Sequence, residues 1–166
     1  MNDALYELIV ARRPKPYDLP VRILVILVIV AIAVLGMPFF GFFSFVAAVL
    51  AAILAYYFIF PRLNVEYEYL FVNGDLDVDK IMSRAKRKRM FSMNVSEMEL
   101  LAPSDAPELR QYQNAKTLDF SSGTGQAKLY TLVVADHGEL KKVVFEPNET
   151  IIEGFFVLAP RKVIRK

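Results

Sequence analysis

The feature that most constrains this chain is a run of 39 residues, Ile23 to Pro61, without a charged side chain. About 20 consecutive apolar residues cross the hydrocarbon core of a bilayer as an α-helix, so the run is long enough for nearly two crossings. A Gly-Met-Pro sequence at residues 36–38 favours a break, because proline lacks an N–H and disfavours helix in the residue before it. The sequence predicts two transmembrane helices, at about residues 19–37 and 39–60, joined by a short apolar turn.

Two other interpretations of the run stay open. It could be the core hairpin of a soluble protein, although the rest of the chain is short for surrounding it. It could also begin as a cleaved signal peptide, because basic residues precede it and residues 31–33 (Ala-Ile-Ala) have the small-x-small form of a cleavage site. The apolar run continues to Pro61, so a membrane helix would remain after cleavage.

Basic residues flank the run on both sides and are absent from its predicted turn. They are Arg12, Arg13, Lys15 and Arg22 before it, and Arg62, Lys80, Arg84 and residues 86–89 after it. Lys and Arg near membrane spans mark the cytoplasmic side. We therefore expect a multi-pass cell-membrane protein with both termini in the cytoplasm and with membrane lipids as partners. The charge-free run, residues 23–61, contains none of the Asp, Glu, Lys, Arg or His residues that transport across a membrane ordinarily uses.

The N-terminal arm, residues 1–18, has a helix-like pattern. Within residues 2–13, Leu5, Leu8 and Ile9 share one helical face, and two prolines follow. This pattern predicts a short helix lying in the cytoplasmic interface. The alternative is a frayed arm that only carries charges for topology.

Small residues recur along the second span and indicate close helix packing. They are Ala47, Ala48, Ala51, Ala52 and Ala55. Small side chains let two membrane helices approach closely. The partner is either the first span of the same chain or a second copy of the protein, which would make a homo-oligomer.

Residues 62–166 predict a mainly-β (α+β) cytoplasmic domain. Residues 65–72 and 75–82 alternate in polarity around Asn73-Gly74, a strong hairpin signal. Asn148 begins an amphipathic segment that Pro160 ends. Further strands are expected at residues 86–93, 95–101, 117–120, 129–135 and 140–145, with a short helix within 103–114. The pattern predicts a small sandwich or half-open barrel of six or seven antiparallel strands with a C-terminal helix.

Several stretches of this domain resemble a known family. They are NGDLDVDKI at 73–81, KRKR at 86–89, FEPNET at 145–150 and APRKV at 159–163. Over nearly its whole length the chain resembles an uncharacterised family of small bacterial two-helix membrane proteins with a cytoplasmic pleckstrin-homology-like (PH-like) domain. The resemblance implies that fold and membrane arrangement, and it carries no activity with it.

The sharpest charge feature is the basic cluster Lys86, Arg87, Lys88 and Arg89. It follows closely on the membrane spans, so contact with anionic lipid is one interpretation. The other is structural: Asp75, Asp77 and Asp79 lie on the strand predicted to pair with the cluster and would form cross-strand ion pairs. Nucleic acid is not expected, because stacking aromatic residues do not interleave with the basic residues.

The composition argues against catalysis and against a metal site. The chain has no Cys and one His, His137, which is expected at an exposed hairpin tip. Ser121 and Ser122 are not expected to act with it as nucleophiles, because such a tip is exposed and poorly preorganised. The Asp75–Asp79 segment begins like a calcium loop, but lysines occupy the positions that require Gly and Glu. Residues 123–125 (Gly-Thr-Gly) lack the context of a phosphate loop. We expect no enzyme activity, no metal and no cofactor.

The architecture favours a membrane-anchored recognition or scaffolding module. An exposed sheet edge, or a groove beside the C-terminal helix, could dock a peptide of a protein partner. Two alternatives remain: a module that binds anionic lipid, and an accessory subunit of a larger membrane enzyme or transporter complex.

Overall fold

The computed structural model describes residues 5–84, 86–136 and 138–165. The chain forms two compact units, a β unit and a helical unit. The β unit comprises Met1–Arg12, Glu66–Ile81 and Arg87–Lys166, and the helical unit comprises Arg13–Val65 and Met82–Lys86. The β unit is therefore discontinuous in sequence, because the helical hairpin is inserted near its N-terminus.

The helical unit contains the predicted pair of long apolar helices. The first, α1, spans Asp18–Phe40. The second begins as α2 at Phe42–Leu54, continues through a π-helical turn at Ala55–Ile59 and ends as α3 at Phe60–Leu63. Both stretches have the length and composition to cross a membrane, and no residue in the most apolar part of α1 is buried. That exposure argues against the core helix of a soluble protein.

The predicted break at residues 36–38 was wrong. Helix α1 continues through Pro38 to Phe40, and the chain turns at Gly41, which has φ 54°. Pro38 lies in the last turn of α1, where its missing N–H removes only one helical hydrogen bond. Gly41 makes the turn because glycine adopts positive φ without steric cost.

Gly36 has a packing role instead of a turn role. A side chain at this position would collide with Ser44 of α2. The Ser44 hydroxyl donates hydrogen bonds to the carbonyl oxygens of Ile32 and Ala33 on α1. The glycine therefore lets the two helices approach closely enough for this contact.

The first sheet of the β unit has the strand order β1-β2-β3-β4. Its strands are β1 at Leu5–Ala11, β2 at Val65–Val72, β3 at Asp75–Met82 and β4 at Lys86–Asn94. The predicted Asn73-Gly74 turn joins β2 to β3, with φ 51° and 93° at its two residues. Alternation along β2 buries Tyr67, Tyr69 and Phe71.

The second sheet has the order β5-β7-β8-β6 and is followed by a helix. Its strands are β5 at Met98–Pro103, β6 at Lys116–Asp119, β7 at Tyr130–Asp136 and β8 at Glu139–Phe145. Short 3-10 turns occupy Val95–Glu97 and Pro107–Tyr112. Helix α4 spans Glu149–Leu158, and Asn148 caps it by accepting a hydrogen bond from the Ile151 N–H at 2.9 Å.

Both sheets and α4 share one core. The Tyr69 and Phe145 rings meet edge to face at 5.5 Å between centroids, and Phe71 lies 4.4 Å from Phe155 of α4. Tyr69 is fully buried, and its hydroxyl donates to the Phe120 carbonyl oxygen at 2.6 Å. Burial raises the pKa of Tyr69 above its ordinary value, so this hydroxyl stays protonated. The predicted α+β fold with a C-terminal helix is confirmed.

The predicted N-terminal interfacial helix was wrong. Residues 1–4 lie outside the described part of the chain, and Leu5–Ala11 form a strand antiparallel to β2 in the register Leu5↔Val72 to Ala11↔Glu66. The same residues also alternate, so Tyr6 can stack on Phe71. Helix propensity is a weak preference that the backbone hydrogen bonds of an adjacent strand override. This strand raises the described total to eight, and β6 pairs with β8 in parallel rather than antiparallel.

Two neighbouring residues of β1 test its packing. Leu8 lies opposite Tyr69 and is half-buried, whereas Ile9 lies opposite Glu68 and is 52% exposed. We expect Leu8→Ala to lower the free energy of unfolding by about 1–2 kcal/mol, because the site is only partly buried, and Ile9→Ala to cost less. Denaturant unfolding of the detergent-solubilised protein, followed by tyrosine near-UV circular dichroism, measures both. Equal losses for the two variants would contradict this packing.

Candidate functional site

Half of the basic cluster in β4 is engaged in ion pairs. Arg87 Nη2 lies 2.7 Å from Glu68 Oε2. Arg89 Nη2 lies 2.8 Å from Asp77 Oδ2, and Arg89 Nε donates to Asp79 Oδ1 at 3.1 Å. The Arg89 contacts join β4 to β3, as one interpretation of the sequence predicted, whereas Glu68 lies on β2 and was not among the predicted partners.

Two further polar side chains of β4, Ser92 and Asn94, hydrogen-bond to aspartates of β3. Asp77 accepts a hydrogen bond from the Ser92 hydroxyl, and Asp75 accepts one from the Asn94 side chain, both at 2.6 Å. The three aspartates lie along β3 and face β4, so they do not form a calcium loop. In the described residues, no three or more His, Asp or Glu side chains come together as a metal site.

Of the two buried carboxylates on this charged face, Glu68 and Asp79, Glu68 is the more deeply buried, at 1% exposure. Burial raises its pKa, a hydrogen bond with Glu7 of β1 and the nearby Asp79 raise it further, and Arg87 opposes the shift. Sequence reasoning missed Glu68 and Glu7, because their proximity depends on the β1–β2 pairing. The signal in the sequence was the alternation of Glu66 and Glu68 with aromatic residues along β2.

The two lysines of the basic cluster are exposed. Lys86 belongs to the helical unit, and its Nζ lies 5.5 Å from the centre of the Phe58 ring in the π-helical turn. That distance is within the range of a cation–π contact. The structure therefore divides the cluster into two arginines held by carboxylates and two exposed lysines.

Basic residues accumulate in the helical unit outside the charge-free run of residues 23–61. We call them the cationic collar: Arg13, Lys15, Arg22, Arg62, Arg84 and Lys86. Asn64 connects parts of it, because its side chain accepts from Arg22 Nη2 at 2.6 Å and its carbonyl accepts from the Ser83 N–H at 2.9 Å. Asp18, the single acidic residue in the sequence of this unit, is buried and accepts from the Lys15 N–H at 2.6 Å.

An apolar groove lies beside the C-terminal end of α4. Its volume is about 590 Å³, and it is lined by Asn73, Gly74, Asn94, Val95, Ser96 and residues 158–162. We call it the α4 groove. Leu158 forms part of its wall and is 53% exposed, the adjacent Val157 is 68% exposed, and Arg161 is exposed at the rim. A groove beside the C-terminal helix is one of the two docking surfaces expected from the sequence, the other being an exposed sheet edge.

The alanines of the second apolar helix divide between two faces. Ala48 and Ala55 are buried and Ala51 is half-buried, whereas Ala47 and Ala52 are exposed. The buried set continues the line of Ser44 and packs within the hairpin. Ala47 and Ala52 are the alanines of this pattern that a second copy of the protein could contact.

The remaining candidates have structural partners or lie outside the described residues. The Ser122 N–H and hydroxyl both donate to Glu146 Oε1, at 2.9 and 2.7 Å, and the Ser121 N–H donates to Asp119. These contacts hold the Ser-Ser-Gly-Thr-Gly loop as a turn. His137 lies outside the described part of the chain.

The pKa of Glu68 predicts a pH dependence. Because the pKa of Glu68 is raised in the folded protein, the group contributes stability below its ordinary pKa of 4.5, and this contribution is lost as the pH rises through the folded-state pKa. The free energy of unfolding of Glu68→Gln should therefore increasingly exceed that of the natural protein as the pH rises from 4.5 to neutrality. Unfolding measured across this range tests it, with the exposed Glu99→Gln as control. A shrinking advantage would mean that the Arg87 ion pair dominates.

Comparison with known proteins identifies the family. No curated protein and no solved structure gives a significant match to the sequence. A family model described as Bacterial PH-like domain (DUF6106) matches residues 2–165, nearly the whole chain. The match includes both β1 and the inserted helices, so the hairpin is part of the family pattern. With its two sheets and C-terminal helix, the chain belongs to this bacterial PH-like domain family.

Proposed function

We propose that this protein is a multi-pass protein of the cell membrane with both termini in the cytoplasm. Support comes from the two apolar helices and from the pairing of β1 with β2. The chain leaves the β unit after β1 and re-enters it at the adjacent strand, so the insertion must start and finish on one side of the membrane. The cationic collar favours the cytoplasmic side, where Lys and Arg accumulate.

The proposed role of the PH-like domain is non-catalytic recognition of a protein partner, which makes the chain a membrane-anchored scaffolding module. The observation that carries this role is the α4 groove, with Leu158 in its wall and Val157 beside it. Exposed apolar side chains next to a groove are typical of surfaces that bind proteins. The groove is open and mainly apolar, which suits a peptide side chain. The lack of Cys and the single His support a role without chemistry.

Photocrosslinking in intact membranes tests this role. A photoreactive residue at position 157 of the full chain should capture a protein, identified by mass spectrometry, and Leu158→Glu should abolish the capture by placing a charge in the groove wall. The matched control is Leu140→Glu, which is 42% exposed on β8 and outside the groove lining. Circular dichroism verifies that both variants fold.

Three results of this experiment have distinct meanings. Capture of a large enzyme or transporter complex would favour an accessory subunit, and capture of a second copy would favour a homo-oligomer. Capture that survives Leu158→Glu, or reproducible absence of capture, would contradict docking in the α4 groove. The experiment uses the full chain, because a fragment beginning at residue 62 would lack β1 and with it one strand of the first sheet.

A second candidate role is binding of anionic lipid by the cationic collar. The specific observation is Lys86, which is exposed and whose Nζ lies near the Phe58 ring of the apolar helix. Each basic residue near an anionic surface contributes roughly 1 kcal/mol. The two arginines bound to carboxylates in β4 are not part of this proposal.

Lipid retained by the purified full chain measures this role. In mixed phosphatidylglycerol and phosphatidylcholine, native mass spectrometry should show preferential retention of phosphatidylglycerol. Neutralising Arg62, Arg84 and Lys86 to Gln should reduce the preference by about tenfold or more, given the contribution per residue. The charge-matched control neutralises Arg110, Lys116 and Lys128, which are exposed in the β unit. Equal reductions for both triple variants would indicate nonspecific charge attraction.

A further inference from the structure

The tip of the hairpin is unusually tight and unusually apolar. Gly41 alone connects α1 to α2, and its N–H donates to the Met37 carbonyl at 2.9 Å. Five phenylalanines flank it, with exposures from 60% to 82%: Phe39, Phe40, Phe42, Phe43 and Phe45. The single polar side chain between residues 39 and 45 is Ser44, which is buried against α1. The tip therefore has no polar side chain to present to water.

The length of each helical segment of the hairpin determines how deep its tip reaches into the bilayer. At 1.5 Å per residue, the segment from Ile23 to Gly41 rises about 27 Å and the segment from Phe42 to Pro61 about 29 Å. The hydrocarbon core of a bilayer is about 30 Å thick. If Arg22 and Arg62 lie at one boundary of the hydrocarbon core, both helical segments place the tip close to the opposite boundary.

The backbone of the turn argues against a tip at the bilayer centre. The last carbonyl groups of α1 and the first N–H groups of α2 have no partners within their helices. In hydrocarbon each unsatisfied group costs several kcal/mol, whereas at the headgroup boundary water and lipid oxygens can satisfy it. The phenylalanine side chains, in contrast, favour the acyl chains. The turn fits the boundary between the two regions.

An apolar groove adjoins this tip. It has a volume of about 480 Å³ and is lined by Ile32, Gly36, Phe40, Phe43, Ser44 and Ala47. The missing side chain at Gly36 and the inward turn of Ser44 leave the groove without a charged or exposed polar group. At this depth of a bilayer, the surrounding molecules are lipid acyl chains.

We propose that the phenylalanine tip is a lipid-binding surface that ends at the acyl-chain boundary of the far leaflet and exposes no loop to water on that side. Acyl chains of that leaflet occupy the groove between Phe40, Phe43 and Ala47. The proposal rests on the membrane anchor proposed above. It adds that the partner of the tip is the far leaflet itself, and that a water-borne ligand on that side meets no loop of the hairpin.

The composition of the chain allows a direct test, because the protein contains no Trp. The full chain is reconstituted in vesicles with one Trp at the tip (Phe42→Trp), at mid-span (Val34→Trp) or in the exposed loop of the β unit (Gln126→Trp). Lipids brominated at shallow or deep acyl positions quench the Trp nearest to them, and acrylamide quenches Trp in water. We expect shallow bromines to quench Phe42→Trp most and deep bromines to quench Val34→Trp most. Acrylamide should quench Phe42→Trp several-fold less than Gln126→Trp.

The other outcomes separate this proposal from the membrane anchor. Acrylamide quenching of Phe42→Trp equal to that of Gln126→Trp would mean that the tip emerges into water, which overturns the proposal and leaves the anchor standing. Strongest quenching of Phe42→Trp by deep bromines would place the tip at mid-bilayer. That result would also overturn the proposal and leave the anchor standing. If bromines quench neither Phe42→Trp nor Val34→Trp, the anchor and the tip proposal both fail.

Discussion

The pairing of β1 with β2 is the interaction on which the architecture depends. Seven residue pairs, from Leu5↔Val72 to Ala11↔Glu66, close one side of the first sheet across a gap of more than fifty residues. Everything between these strands is the helical hairpin and its connections. In the proposed membrane anchor, adjacent strands cannot lie on opposite sides of the bilayer, so the sheet obliges the inserted chain to return to the side where it started. The fold of the β unit and the topology of the anchor are thus one constraint.

In the proposed anchor, this constraint also couples membrane insertion to folding. The β unit needs β1 to complete its first sheet and to bring Tyr6 over Phe71, yet β1 is joined to β2 only through the hairpin. Contacts between residues distant in sequence form after a large loop closes, at an entropic cost that grows slowly with loop length. A hairpin of two packed helices with adjacent ends reduces that cost, since it behaves as a short connection. The close packing at Gly36 and Ser44 contributes to this arrangement.

Local patterns in the sequence predict much of the fold, but they do not predict the pairing of β1 with β2 that completes the first sheet. Strands β2 and β3 were predicted to the residue, because alternation and an Asn-Gly turn are local properties. Strand β1 was not, since its residues satisfy a helical and an alternating pattern equally and the deciding partner is distant. The turn at Gly41 was missed for a related reason: Pro38 is the stronger helix breaker in isolation, but in a last turn it breaks little.

The basic cluster shows why four consecutive charges need not act together. The buried carboxylates of Glu68 and Asp79 require compensation, and Arg87 and Arg89 of β4 supply it across the sheet. These arginines are therefore committed to the sheet, and only Lys86 and Lys88 keep exposed charge without a carboxylate contact among the described ion pairs. Any attraction to an anionic leaflet must then depend on lysines of the cluster and on the basic residues that flank the helices. Those flanking residues lie where the chain enters and leaves the hairpin, so in the proposed membrane arrangement the charge pattern and the β1–β2 pairing indicate the same side of the membrane.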